Sequence, residues 1–224
     1  MKLDHLVLAI SDLDDGIAQL KKLTGVEAIK GGRHPDLGTQ NAIAALGDHS
    51  YIELLAPDAV SGARPKAASS QQTPLTRLVG RTLAAPPRQL ALVAYAVAAR
   101  RMAELDVRFR SLGYVTTGVH DGSRVREDGK RLAWQMLAVT APDDPLLPFW
   151  IDWVPDSDHP SQGAPTGCEL DRLYACDPDP DRARSSLEQL GLDLEVEKAD
   201  APAVVAVIKT KKGTVEFRSQ PRVG

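Results

Sequence analysis

Aromatic residues are scarce, at 4% of 224 residues, and cysteine occurs only twice, as Cys168 and Cys176. On one extended strand those thiols would stand about 26 Å apart, far beyond disulfide reach, so no disulfide framework is expected and a cytoplasmic location fits. No apolar run approaches the length of a membrane span. The N-terminal run is broken by Asp4 and His5 and ends at an acidic cluster, which does not read as a targeting segment. There is no excess of basic charge either: 27 Lys and Arg against 30 Asp and Glu give a net charge of −3. Nucleic acid and anionic membrane are therefore not expected partners. Phosphate-binding glycine loops, a Gly-x-Ser-x-Gly elbow and Cys-x-x-Cys pairs are all missing, which removes support for nucleotide cofactors and serine-hydrolase chemistry.

What is present describes a folded chain, with 43% apolar and 25% charged residues and enough length for one large domain or two ordinary ones. Residues 3 to 10 alternate with period two, placing His5, Val7 and Ala9 on one face and Leu6, Leu8 and Ile10 on the other. Ser11 and Asp14 resemble a capping box, and Leu13, Ile17, Leu20 and Leu23 recur at helical spacing up to Gly25. Three extended runs follow, around 27–30, 39–46 and 50–56, and Pro57 ends the unit. A helical crossover followed by two tight reversals lets the first and fourth strands run parallel, side by side.

The same order returns twice. Residues 58–89 read as a connector with one short helix opened by Thr73-Pro74. Residues 90–165 then give a strand, a helix carrying Met102, Leu105, Phe109 and Leu112, and strands expected at Tyr114–Val119, Arg131–Val139 and Pro148–Val154. Residues 166–224 give a third copy, with a helix opened by Asp177-Pro178 and strands near 192–197, 203–208 and 214–218. The fold class expected is α+β, with units of residues 1–57, 90–165 and 166–224.

These βαβββ units, the opening Leu3-Asp4-His5-Leu6-Val7 and the closing Tyr51-Ile52-Glu53-Leu54-Leu55-Ala56-Pro57 resemble the vicinal oxygen chelate (VOC) superfamily, which spans glyoxalases, bleomycin-resistance proteins and extradiol dioxygenases. Arg124-Val125-Arg126-Glu127-Asp128-Gly129, Leu132-Ala133-Trp134, Pro148-Phe149-Trp150-Ile151-Asp152-Trp153 and His159-Pro160 are similar to its glyoxalase-like domain proteins. The resemblance implies two units curled into a mixed-sheet cup, often holding a divalent metal between their first and fourth strands and often packed as a homodimer. It maps the first unit's ligands to His5 and Glu53, and places Asp152 where Glu53 stands in the first unit. The second unit's first strand, Leu92-Val93-Ala94-Tyr95, offers no ligand at all.

Two readings stay open. On one, a divalent metal at His5, Glu53 and Asp152 binds a small oxygenated metabolite as a Lewis acid, in a lyase, isomerase or dioxygenase, with Glu53 as the alternative catalytic base. Arg124, Trp134, Trp150 and His159 are then the substrate-binding candidates. On the other, the cup holds a small apolar or aromatic ligand without metal or chemistry, walled by Trp134, Trp150 and Trp153. Each residue also has a plainer account: a hydrogen-bonded core histidine, a glutamate paired to a cation, a solvated arginine turn, a packed indole. Glu216 imitates Glu53 in the third unit, with Asp171 near its first-strand position, while His34, His49 and His120 read as surface.

Overall fold

A computed structural model describes residues 1–34, 38–58, 85–125, 129, 131–140, 144–154 and 158–219. The helix expected at Thr73-Pro74 lies outside the described residues, as do Arg126, Glu127 and Asp128. The first unit contains β1 (Leu3–Ala9), α1 (Leu13–Thr24), β2 (Ile29–His34), β3 (Thr39–Ala45) and β4 (Tyr51–Pro57). Its helix begins one residue later than the capping-box reading placed it. The cap is Asp12, whose carboxylate accepts from the Asp15 amide, with Asp14 and Asp15 adding negative charge to the first turn.

The second unit contains β5 (Ala91–Ala98), α2 (Met102–Ser111), β6 (His120–Val125), β7 (Arg131–Ala138) and β8 (Phe149–Trp153). Here the strand expected at Tyr114–Val119 is displaced. That segment makes a single bridge, Thr116 to Val139, and the strand falls on the polar stretch that follows. Its partner decides this: His120 through Val125 run antiparallel against Met136 through Arg131, so cross-strand bonding carries a segment with little apolar alternation.

All eight of these strands form one sheet in the order β2-β3-β4-β1-β5-β8-β7-β6. Each unit contributes four consecutive strands, its opening strand parallel to its closing one, and the units join antiparallel at β1 and β5. The sheet curls until its edges, β2 and β6, approach each other. On its convex side Leu6, Leu8, Ile52, Leu54, Leu137 and Trp150 pack against Leu13 and Leu20 of α1 and Phe109 of α2. Each such large apolar side chain contributes about 1.5–3 kcal/mol on burial.

The last unit contains β9 (Cys168–Asp177), α3 (Pro180–Gln189), β10 (Glu195–Lys198), β11 (Ala203–Thr210) and β12 (Gly213–Arg218). Its helix is capped by Asp179 with Pro180 in the first turn, two residues beyond the expected Asp177-Pro178. The order of elements repeats, but the pairing does not. The sheet runs β10-β9-β11-β12, so the opening strand lies inside it, parallel to β10 and antiparallel to β11, instead of beside the closing strand. Ala175, Leu187, Val204, Ala206 and Ile208 join the convex-side core, which makes this sheet a backing layer. Cys168 and Cys176 are buried free thiols on β9. Glu216 is exposed and Asp171 pairs with Lys209, so neither belongs to the cup.

Candidate functional site

Parallel pairing of β1 with β4 sets His5 opposite Tyr51 and Val7 opposite Glu53, which brings His5 and Glu53 to the concave face as diagonal neighbours. Both are buried, at 3% and 8% exposure. His5 Nε2 stands 3.8 Å from Glu53 Oε2, too far for a hydrogen bond. The imidazole is fixed by packing, stacked on Tyr51 at 4.5 Å and meeting the edge of Phe149 at 5.4 Å. Burial, reinforced by the charges of Glu53 and Asp4, raises the Tyr51 phenol far above its usual range, so it stays protonated.

Behind His5 lies Asp4, which strict alternation would send to the convex side. The register of β1 against β5 shifts between Leu3 and His5, and this bulge re-aims the Asp4 carboxylate. Oδ1 meets His5 Nδ1 at 2.7 Å, while Oδ2 accepts from Trp153 Nε1 at 3.0 Å and meets His159 Nε2 at 3.2 Å. At 2% exposure, burial alone would raise its pKa. The hydrogen bonds from His159 and His5 more than offset that and bring it down to about 2. Asp4 is therefore an anion at neutral pH.

Glu53 has its own support on the other side. Asn41, on β3, donates to Glu53 Oε1 at 2.5 Å, and its carbonyl oxygen accepts from Arg124 at 3.2 Å. The Arg124 guanidinium also donates to the Gly31 carbonyl, spanning β6 to β2 across the seam of the curled sheet. A Cβ at Gly31 would sit 2.6 Å from Asn41 Oδ1 and 2.9 Å from the guanidinium, so both side chains would have to give way to it. His34, read as surface from the sequence, is half-buried beside this group, with Nδ1 3.0 Å from Thr39 Oγ1. Burial lowers its pKa; Glu53 and Arg124 act on it with opposite sign.

The candidate residues are thus only partly brought together. Trp134 faces the cup beside Trp153, ring centroids 5.4 Å apart, and its buried Nε1 has no hydrogen-bond partner among the described residues. Arg124 is buried and reaches Glu53 through Asn41. His159 lies against Asp4 with both ring nitrogens engaged, Nδ1 accepting from the Ser161 amide at 3.2 Å. Trp150 and Asp152 are separated from the rest. On β8, Phe149 and Ile151 line the concave face with Val7, whereas Trp150 packs on Phe109 on the convex side, 4.6 Å between centroids. Asp152, two residues on, shares the face of Trp150; it pairs opposite Gln135, and its Oδ1 lies 3.6 Å from Arg100. The expected third ligand therefore points away from His5 and Glu53.

This bears on a divalent metal. Catalytic sites usually take three protein ligands, and among the described residues no cluster of three or more His, Cys, Asp or Glu is placed to hold an ion. The second unit lines the cup with Ala96, Met136, Ala138, Phe149 and Ile151. Among the described residues, His5 and Glu53 fall one ligand short of a resident metal of that kind. Asp4 and Asn41, on which the geometry depends, were not singled out from the sequence. Asn41 ends the polar Thr39-Gln40-Asn41 start of β3, where nothing set it apart from its neighbours, and Asp4 was hidden by the bulge.

Two four-stranded units joined at their opening strands, with a polar cluster on the concave face, define a VOC cup. The model of the glyoxalase-like domain family matches residues 3–191, and the chain belongs to that family. Among solved structures, a hypothetical protein from Staphylococcus aureus is similar over 98% of this chain and 85% of its own, with 17% identity and a TM-score of 0.65. A methylmalonyl-CoA epimerase variant from Streptomyces coelicolor, bound to 2-nitronate-propionyl-CoA, is similar over 68% of this chain and 96% of its own, at 19% identity and a TM-score of 0.46. The methylmalonyl-CoA epimerase from Mycobacterium tuberculosis gives 69% and 89%, 20% identity and 0.44. A search among proteins of curated function finds no match. At these identities the likeness concerns the fold.

Proposed function

We propose that this protein binds a small oxygenated metabolite in the cup and that Glu53 and His5 move a proton on it without a metal, as an isomerase or lyase. The observation that carries this reading is the 3.8 Å gap between His5 Nε2 and Glu53 Oε2. Each group is held from behind, by Asp4 and by Asn41, yet neither is bonded to the other. Such a pair is set to face a third polar group. Glu53 Oε2, the oxygen Asn41 leaves free, takes a proton from carbon next to a carbonyl. His5, protonated at Nε2, donates to the oxygen on which charge develops, and Asp4 offsets the imidazolium charge. Arg124 adds positive potential through Asn41.

A second reading, binding without turnover, is favoured by the second unit, whose contribution to the cup is apolar and aromatic. Deuterium exchange separates the two. Chelator-treated protein in D2O is offered a panel of small 2-oxo acids, aldehydes and thioesters, and their proton spectra are followed. Exchange in a bound compound that is lost in Glu53→Gln while binding persists is the expected result. Binding without exchange would support sequestration. Exchange that appears only after Mn2+ or Zn2+ is added back would transfer the chemistry to a metal.

A further inference from the structure

The carboxylate of Asp4 is buried and faces three nitrogen donors: His5 Nδ1 at Oδ1, and Trp153 Nε1 and His159 Nε2 at Oδ2. An ionised carboxylate only accepts, so each nitrogen facing it must carry a hydrogen. We propose that Asp4 is the positioning residue of the site: it fixes His5 as the Nδ1–H tautomer, so that the proton which comes and goes on this imidazole does so at Nε2, the atom facing Glu53. The inference deepens the proton-transfer reading, since a His5 of the opposite tautomer would present Glu53 with a permanent N–H and have no lone pair free to take a proton in the gap.

The surroundings agree. His159 makes the same kind of contact, giving Nε2–H to Oδ2, while its Nδ1 lies 2.7 Å from the Ser161 hydroxyl and 3.2 Å from the Ser161 amide. Both its nitrogens are used by the protein, so His159 serves as a second clamp on Asp4. Trp153, from β8, holds the carboxylate from the second unit. One side chain on a bulge thereby ties β1, β8 and the segment after β8 to the orientation of one imidazole.

Substitution Asp4→Asn makes a directional prediction. Asn has one accepting oxygen and one donating NH2 in place of two acceptors. The Oδ2 side faces Trp153, whose nitrogen can only donate, together with His159; the Oδ1 side faces His5 alone. The amide oxygen therefore turns to Trp153, its NH2 turns to His5 Nδ1, and neutral His5 is driven to the Nε2–H tautomer.

Long-range 1H–15N correlation spectra of the imidazoles, recorded near pH 9 with no ligand, read this directly, with His5→Gln supplying the assignment. The expected result is Nδ1–H for His5 in the unsubstituted protein and Nε2–H in Asp4→Asn. An Nε2–H His5 in the unsubstituted protein overturns the proposal, as does an unchanged Nδ1–H tautomer in a folded Asp4→Asn. If Asp4→Asn does not fold, the spectrum of the unsubstituted protein still decides. No substrate enters the measurement, so its failure is distinct from a failure to detect proton exchange.

Discussion

At the scale of single residues, the site is a chain of buried polar groups in which Asp4, His5, Asn41 and Arg124 each have a defined partner, and removing one partner strands another. Asn41 serves Glu53 with its amide and Arg124 with its carbonyl. Asn41→Leu leaves a buried carboxylate and a guanidinium N–H each short of a bond. The expected loss is about 1–3 kcal/mol, measured as a lower urea midpoint with an unchanged slope. Asp4 adds a pH dependence of definite sign. Its folded pKa of about 2 lies below the ordinary 3.8, so its contribution is complete above pH 4 and is lost as pH falls from there toward 2. The shift corresponds to about 2 kcal/mol. Acid titration of unfolding should show that dependence, and Asp4→Asn should flatten it. The pairing of His5 with Glu53 was legible in the sequence because period two and parallel adjacency both hold there. Asp4 was not, because a bulge suspends the period that any such reading assumes.

At the scale of elements, local chemistry located the helices and left their edges and one strand to tertiary structure. Leu13, Leu20, Met102 and Phe109 do face the core as their spacing requires, whereas Leu23 and Leu112, near the helix ends, are exposed. Asp12, one residue past the expected cap, closes the start of α1, and Asp12→Ala should cost about 1 kcal/mol, read as a drop in thermal midpoint. The β6 strand is the instructive miss. His120-Asp121-Gly122-Ser123-Arg124-Val125 lacks apolar alternation and is held by its pairing with β7. Within it, Gly122 lies opposite Trp134, whose indole covers the glycine so closely that a Cβ would collide with the ring. Gly122→Ala should displace that indole from the cup wall, costing about 1–3 kcal/mol as overpacking does and shifting tryptophan fluorescence.

At the scale of the whole molecule, the repeat of element order made three similar units legible, while the cup itself was implied by the family resemblance and the choice of the first two units to form it was left open by the sequence. The third unit shows where that argument stops. The same order of strand, helix and three strands is compatible with an opening strand at either an inner or an outer position, and only the pairing distinguishes them. The cup itself closes through a side chain: Arg124 joins β6 to β2 where no backbone ladder does. Arg124→Met should therefore speed amide exchange in β2 and β6 while β1 and β4, in the centre of the sheet, keep their protection.

The split between the halves of the cup has a last consequence. The first copy of the duplicated unit carries Asp4, His5 and Glu53, whereas the second, Arg124 aside, presents Met136, Ala138, Phe149 and Ile151 to the same hollow. On the proposed proton-transfer reading, reaction and selectivity could then drift independently: exchanging those side chains for larger or smaller ones would retune which molecular tails are admitted, while His5 and Glu53 keep their setting.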